Sequence, residues 1–564
     1  MRKNWKIKTT ESVIVQSLAE SLRVSEIVAQ LLVLRGITTF DDAKKFFRPK
    51  FSHLHNPYLM KNMQEAVRRI ENAIAKKEKV LIYGDYDVDG TTSVAMMYLF
   101  LQKYNQNINY YIPCRYKEGY GISIQGIDYA AENNYSLIIA LDCGIRALEQ
   151  IDYANEKNID FIICDHHTPA EKIPNAIAVL NPKQAGCNYP FKELSGCGVG
   201  FKLIQAYCEK NQISFNEITP LLDLLVVSVA ADIVPMVDEN RIFSFYGLKQ
   251  INENPRVGIK ALINTTNRKG NYTISDIVFG IAPRINAAGR LRHGKLAVEL
   301  LIENNFNIAK QLAGEIEKIN LERRELDQNI TNDALTMIDD NKKSTVVFSP
   351  NWHKGIVGIV ASRLIEKHYK PTVVLAEEDD LLTGSARSVK GFDLYNALLQ
   401  CEKYLSTFGG HKYAAGLSLK KENLQQFMIA FEKVVSETIT EEQLIPEISV
   451  DMEIQLNQIN DKLFRIVQQF TPFGPKNMMP IFISKGVSDS GYGSKVGADK
   501  THLRLNIINE DRSKSINSIG FGLAHHFDKT NNGNPFDVCY SIDENNWNGR
   551  KNLQLKIRDI RTNI

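Results

Sequence analysis

Three short apolar runs, Val80 to Gly84, Leu137 to Leu141 and Phe161 to Cys164, each stop abruptly at acids or imidazoles. A run that is apolar at every position, without polar alternation, reads as a strand buried inside an α/β sheet. The residues between the runs agree. Gly90-Thr91-Thr92-Ser93 opens a stretch with Val94, Met97, Tyr98 and Leu101 at helical spacing, and strand and helix signals go on alternating, as a parallel sheet requires. Open sheets of this class hold their ligands beyond the carboxyl ends of the strands. Here those ends carry Asp85-Tyr86-Asp87-Val88-Asp89, Asp142-Cys143-Gly144 and Asp165-His166-His167. A fourth apolar segment, from Leu221 to Ala231, reads as a helix that ends at Asp232.

Aspartates leaving one buried strand two residues apart repel one another unless a cation lies among them. Carboxylates and imidazoles without thiolates suit Mn²⁺ or Mg²⁺ rather than a structural zinc, and the oxygens suffice for two ions about 4 Å apart. Such a pair hydrolyses phosphoesters by activating water and neutralising charge on the phosphoryl and leaving oxygens. Of His166 and His167, one can ligate while the other donates to a phosphate oxygen or protonates the leaving group.

A chain of 564 residues is too long for one core and implies three or four domains. With 44% hydrophobic and 24% charged residues, disordered and fibrous classes are excluded. The N-terminus lacks a signal-peptide pattern and no segment is apolar enough to span a bilayer, so no membrane and a cytoplasmic location are expected. The eight cysteines form no C-x-x-C pair, which points away from zinc knuckles and disulfide frameworks. A net charge of +3 announces no polyanion partner by itself, so a nucleic-acid site has to be a local groove.

The Asp85 loop, Asp142-Cys143-Gly144, Asp165-His166-His167 and Asp232 together resemble the motifs of the DHH phosphoesterase superfamily. Length and later motifs are similar to its branch of bacterial single-strand-specific 5′-to-3′ exonucleases, over nearly the whole chain. The resemblance implies that Asp85, Asp87, Asp142, His166 and Asp232 ligate metal and that His167 ligates or faces a phosphate, all six being catalytic. Smaller superfamily members carry a histidine four residues before the first of these aspartates. This chain has Leu81 there, as its long relatives do, leaving one ion fewer protein ligands.

Between the first two acidic tips, Arg115, Tyr116 and neighbouring aromatics lie beside Gly119 and Gly121, a composition suited to holding a phosphate and stacking a base. Ala282 to Arg290 reads as a second basic, glycine-containing loop with Arg284 and Arg290 as phosphate ligands. From about 304 to 340 the spacing of Leu312, Ile316, Ile319, Leu326 and Ile330 predicts a long helix joining two lobes. The segment that follows resembles a DHHA1 substrate-binding domain, with Ser385, Arg387 and a Gly409-Gly410-His411 turn as a pocket for a 5′-terminal phosphate. After about 445, short strands separated by turn residues predict an OB-fold barrel, whose Lys495, Lys500, Arg504, Arg550 and Lys551 supply charge and whose one tryptophan is Trp547.

The expected architecture is a helical lead-in (1–60), a parallel-sheet DHH domain (61–300), a connecting helix (301–342), a smaller α/β DHHA1 domain (343–440) and an all-β OB-fold barrel (441–564). The implied enzyme threads single-stranded DNA and removes nucleotides from the 5′ end. Its implied partners are single-stranded DNA, a single-strand-binding protein and a helicase, and it is expected to be a monomer. The competing readings are a DHH phosphodiesterase for short RNA oligomers or cyclic dinucleotides and a non-catalytic single-strand-binding scaffold.

Overall fold

In the structure, a computed structural model that describes residues 2–547 and 550–562, the chain divides into two units. One is Phe51–Leu444; the other joins Met1–Lys50, with strand β1 (Asn4–Ile7), to Ile445–Ile564. Among the described residues no helix is long and apolar enough to cross a membrane.

The first unit contains the sheet that the apolar runs announce. Strands β2 (Val80–Gly84), β3 (Ile108–Tyr111), β4 (Leu137–Leu141), β5 (Asp160–Cys164) and β6 (Ala178–Leu180) are all parallel, in the order β3-β2-β4-β5-β6. Every residue of β2 and β4 is buried, and the side chains alternate between two cores. Val80, Ile82, Leu137, Ile139 and Leu141 enter one, Leu81, Tyr83, Ile138 and Ala140 the other. Because β2 is flanked by β3 on one side and β4 on the other, the chain changes winding direction there, and a crevice opens beyond the carboxyl ends of β2 and β4.

The helix Phe306–Thr336 is 31 residues long and belongs to two cores. Ala309, Ala313 and Ile316 pack with the parallel sheet, whereas Ile319, Ile330 and Ala334 pack with Val347, Trp352 and Val360 of the next domain. That domain has the sheet order β10-β11-β9-β8-β7. Its strands are β7 (Thr345–Ser349), β8 (Thr372–Glu378), β9 (Leu381–Arg387), β10 (Thr407–His411) and β11 (Ala414–Lys420), of which only β7 and β8 run parallel.

Two local readings of the sequence differ from the structure. Ala282 to Leu291 is a helix rather than a loop, continuing directly from a π-helical stretch, Ile277–Ile281, just before Pro283. Gly409-Gly410-His411 is the end of strand β10 rather than a turn, with Gly410 opposite Ala415. A Cβ on Gly410 would lie 2.3 Å from the Ala414 carbonyl oxygen, so the glycine serves the close approach of β10 and β11.

In the second unit β12 (Glu447–Val450) pairs with β1, and β13 (Met452–Glu453) leads into β14 (Phe482–Asp489). With β15 (Ser494–Val496), β16 (His502–Ile508), β17 (Ser515–Gly520), β18 (Phe536–Trp547) and β19 (Arg550–Thr562) they build the OB sheet. The pairings β14–β18–β19–β17–β16–β14 form a closed ring. The N-terminal residues are part of this unit rather than a separate lead-in. Val15, Leu18, Leu31 and Leu32 share its core with Phe482, Leu505 and Tyr540. Thr39 caps the helix Phe40–Phe47, accepting from the Asp42 amide at 3.1 Å. The side chains of Trp547 and Arg550 lie outside the described residues.

Candidate metal centre and phosphate pocket

The carboxyl ends of β2, β4 and β5 and the end of the helix Leu222–Ala231 bring the expected acids and imidazoles together. His166 Nε2 lies 3.2 Å from Asp142 Oδ1, 3.6 Å from Asp232 Oδ2 and 3.9 Å from Asp89 Oδ2. Asp142, His166 and His167 form one group with the mutual distances of metal ligands, and Asp89, His166 and Asp232 a second. Asp85 is fully buried, yet neither of its carboxylate oxygens makes a hydrogen bond. Asp142 Oδ1 and His166 Nε2 are likewise buried without one. Buried polar atoms are ordinarily paired, so unpaired lone pairs contributed by three segments make a donor set suited to a cation.

Electrostatics state the same conflict. Burial, followed by the charges of Asp89, Asp87 and Asp232, pushes the Asp142 carboxyl well above the carboxylate range. Burial and Asp87 do the same to Asp85. Asp232 is raised to about 8 by burial and then by Asp89 and Asp87, while burial lowers His166 and keeps its imidazole neutral. Asp142 has a left-handed backbone, φ +60, which costs a non-glycine residue energy and aims its carboxylate at the crevice. The helix Gly196–Lys210 begins so close behind it that a Cβ on Gly196 would meet Asp142 Oδ1 at 2.5 Å.

Two acids in these motifs behave differently. Asp89 accepts from the amides of Gly196 (2.7 Å) and Cys197 (2.9 Å) and from Ser228 Oγ (2.7 Å), so its charge is held at a helix N-terminus. Asp165 accepts from His167 Nδ1 at 2.7 Å and from the amides of His167 (3.0 Å) and Ile145 (2.9 Å). Burial pulls His167 down, but this hydrogen bond and the Asp165 charge outweigh it and hold the imidazole above its ordinary value. Asp165 therefore orients His167, whose Nε2 is hydrogen-bonded to Tyr120 Oη at 3.2 Å. The sequence reading assigned no role to Asp165 or Ser228, and counted Tyr120 only among the aromatics beside glycine that are suited to stacking a base. The one signal available was an acid directly preceding two histidines.

The expected phosphate ligands separate into committed and uncommitted groups. Arg284 Nε forms an ion pair of 2.6 Å with Glu317 and also donates to Thr265 Oγ1, tying its helix to the long connecting helix. Tyr116 donates to the Arg290 carbonyl and carries the Lys354 ammonium 4.8 Å above its ring. Arg115 stacks over Tyr86 at 5.1 Å. Arg290 donates to the Gly355 carbonyl at 3.1 Å and Arg387 to Ser385 Oγ at 2.8 Å, neither having an acidic partner among the described residues. Burial, then the charges of Arg115, Arg323 and Arg387, lower Arg290 to about 10. In the sheet register, Ser385 and Gly409 flank Gly416, and Arg387 and His411 flank Ala414. Four of the five expected pocket residues, Ser385, Arg387, Gly409 and His411, thus share one face, and Gly410, in register with Ala415 and Ala386, lies on the other.

A parallel sheet with this acid and imidazole edge is the architecture of the DHH phosphoesterases, and the model of the DHH family, N-terminal domain, matches residues 79–229. The DHHA1 domain matches residues 341–437 and the RecJ OB domain residues 450–559. The single-stranded-DNA-specific exonuclease RecJ of Bacillus subtilis is 38% identical over 563 residues, covering 98% of this chain and 70% of that protein. The chain belongs to the RecJ family. The solved structure of RecJ in complex with Mn²⁺ from Thermus thermophilus superposes with a TM-score of 0.86 at 24% identity, over 100% of this chain and 80% of that one. A structure of the exonuclease RecJ bound to manganese gives 0.61 at 29% identity, over 70% of this chain and 98% of the other.

Proposed function

We propose that the protein is a metal-dependent exonuclease that removes nucleotides from the 5′ end of single-stranded DNA. The observation that carries this reading is the set of buried, unpaired donors on Asp85, Asp142 and His166. With Asp87 and Asp232 these residues would hold two Mn²⁺ or Mg²⁺ ions, which when bound supply Lewis acidity and an activated water. His167, its Nδ1 fixed by Asp165, presents Nε2 to a phosphoryl oxygen as a hydrogen-bond donor. Ser385, Arg387 and Arg290, with Gly409 and His411 farther along the same face of the sheet and Gly410 between them, would take the terminal 5′-phosphate and so set which end is cut. The strong resemblance of the whole chain to RecJ proteins favours DNA over a cyclic dinucleotide, because a dinucleotide has no use for a separate barrel. The reading includes a monomeric cytoplasmic enzyme, with a helicase that exposes single strands and a protein that coats them as partners.

The test is a 3′-labelled single-stranded DNA incubated with Mn²⁺. Progressive shortening from the 5′ end, sparing of a blunt duplex and loss of both in Asp142→Ala are expected. Immediate release of the 3′ label, or undiminished activity in the variant, would refute it.

A further inference from the structure

Tyr120 is a large aromatic in an unusual position. It is 56% exposed, yet the loop that carries it is clamped on both sides. Before it, Glu118 accepts from the Cys114 amide (2.7 Å), Tyr111 Oη (2.9 Å) and Ser123 Oγ (2.6 Å). After it, the Gly121 carbonyl accepts from the buried Tyr83 hydroxyl at 2.9 Å. Gly119 and Gly121, with φ of +84 and +83, make the two bends that push the side chain outward. Such a loop leaves the ring exposed by construction.

Its neighbours form a line. The Arg115 guanidinium lies over Tyr86; the Tyr86 ring meets Tyr120 edge-on at 6.3 Å; the Tyr120 ring meets His167 edge-on at 6.0 Å. One end of this line is a candidate phosphate-binding arginine and the other the imidazole beside the metal ligands. We propose that Tyr120 is a substrate-contacting residue, whose ring supports the sugar and base of the terminal nucleotide being released while its hydroxyl holds His167 Nε2 in place until the scissile phosphate arrives. The inference rests on the exonuclease reading above. It adds a specific prediction: the terminal base contributes to binding through a π-face, without regard to its identity.

The test compares a single strand whose 5′-terminal nucleotide is intact with one in which that nucleotide is abasic, using the full chain with Mn²⁺. For the wild type the abasic strand is expected to have a KM about tenfold higher. Tyr120→Ala should raise KM on the intact strand by a similar factor and leave the abasic strand almost unaffected. Tyr120→Phe should restore the KM difference between the two strands and lower only kcat. Equal KM values for the two strands with wild type would overturn the proposal without need of a variant, as would an equal rise in KM on both strands in Tyr120→Ala. Absence of any digestion by the wild type would instead defeat the exonuclease reading itself.

Discussion

The acid edge of the parallel sheet and the arginines of the phosphate pocket are built on the same physical conflict with opposite signs. In the first, burial and then the charges of Asp87 and Asp89 raise the proton affinity of Asp85, Asp142 and Asp232; in the second, burial and then the charges of Arg115, Arg323 and Arg387 weaken the hold of Arg290 on its proton. Elsewhere the protein pairs its buried charges. Lys202 and Glu239, both fully buried, meet at 2.9 Å, and Asp489 in the barrel accepts from the amides of Gly491, Gly493 and Asn506 at 2.9 Å each. On the proposed reading, unrelieved same-sign crowding marks the places where the missing partner is a ligand: a cation for the acids, a phosphate for the arginines.

This comparison breaks if either cluster proves merely structural. The largest effect is expected from Asp142→Asn. Activity should fall by more than the roughly 10–100-fold that loss of a supporting group costs a metal site. The melting temperature without metal should rise, because repulsion is relieved, and the increase that Mn²⁺ gives the wild type should disappear. A variant that melts lower without metal and still gains from Mn²⁺ would contradict the assignment. Next, Arg387→Ala should raise KM for a 5′-phosphorylated strand roughly 10–100-fold, as for a lost hydrogen bond to a charged group, with a much smaller change for a 5′-hydroxyl strand. Steady-state kinetics on the two strands measure it.

Arg284 sharpens the contrast from the other side, since its charge is already answered by Glu317. Arg284→Met should cost about 1–3 kcal/mol of stability in denaturant titration and leave the preference for a 5′-phosphate intact. The smallest effect concerns Glu432, an acid that is fully paired. Burial raises its pKa, but hydrogen bonds from Ser344, the Lys343 amide and Ser436 more than compensate, so the folded value lies below the ordinary one. Its contribution is present above the unfolded pKa and fades as pH falls toward the folded value. Glu432→Gln should thus cost about 1 kcal/mol or less at pH 7, and the difference from wild type should shrink in melts carried out below roughly pH 4.

Much of the catalytic sheet was legible because its strands are short, wholly apolar and end in acids, a pattern that fixes burial, direction and edge together. Asp232 was readable for a similar reason, as the acid that terminates an apolar helix. The distinction between Asp85 and Asp89 was not readable. They stand four residues apart in sequence, Asp85 just after strand β2 and Asp89 in the first turn of the next helix, and the Gly196 amide, more than a hundred residues later, helps satisfy one while the other stays bare. The same holds for Arg284 and Arg290, whose different fates depend on Glu317 and Gly355 across the fold. Strand β1 went unseen because Trp5-Lys6-Ile7 has too little pattern of its own and forms only against β12.

That last pairing sets a schedule for synthesis. The apolar faces carrying Val15, Leu18 and Leu31 leave the ribosome first, but Phe482, Leu505 and Tyr540, which complete their core, follow well over four hundred residues later. At about 5–20 residues per second the nascent N-terminus waits roughly 20–90 s for its counterpart. Meanwhile the sheet and its neighbouring domain can close, so the enzyme's chemistry is assembled before the barrel core to which Val15, Leu18 and Leu31 belong.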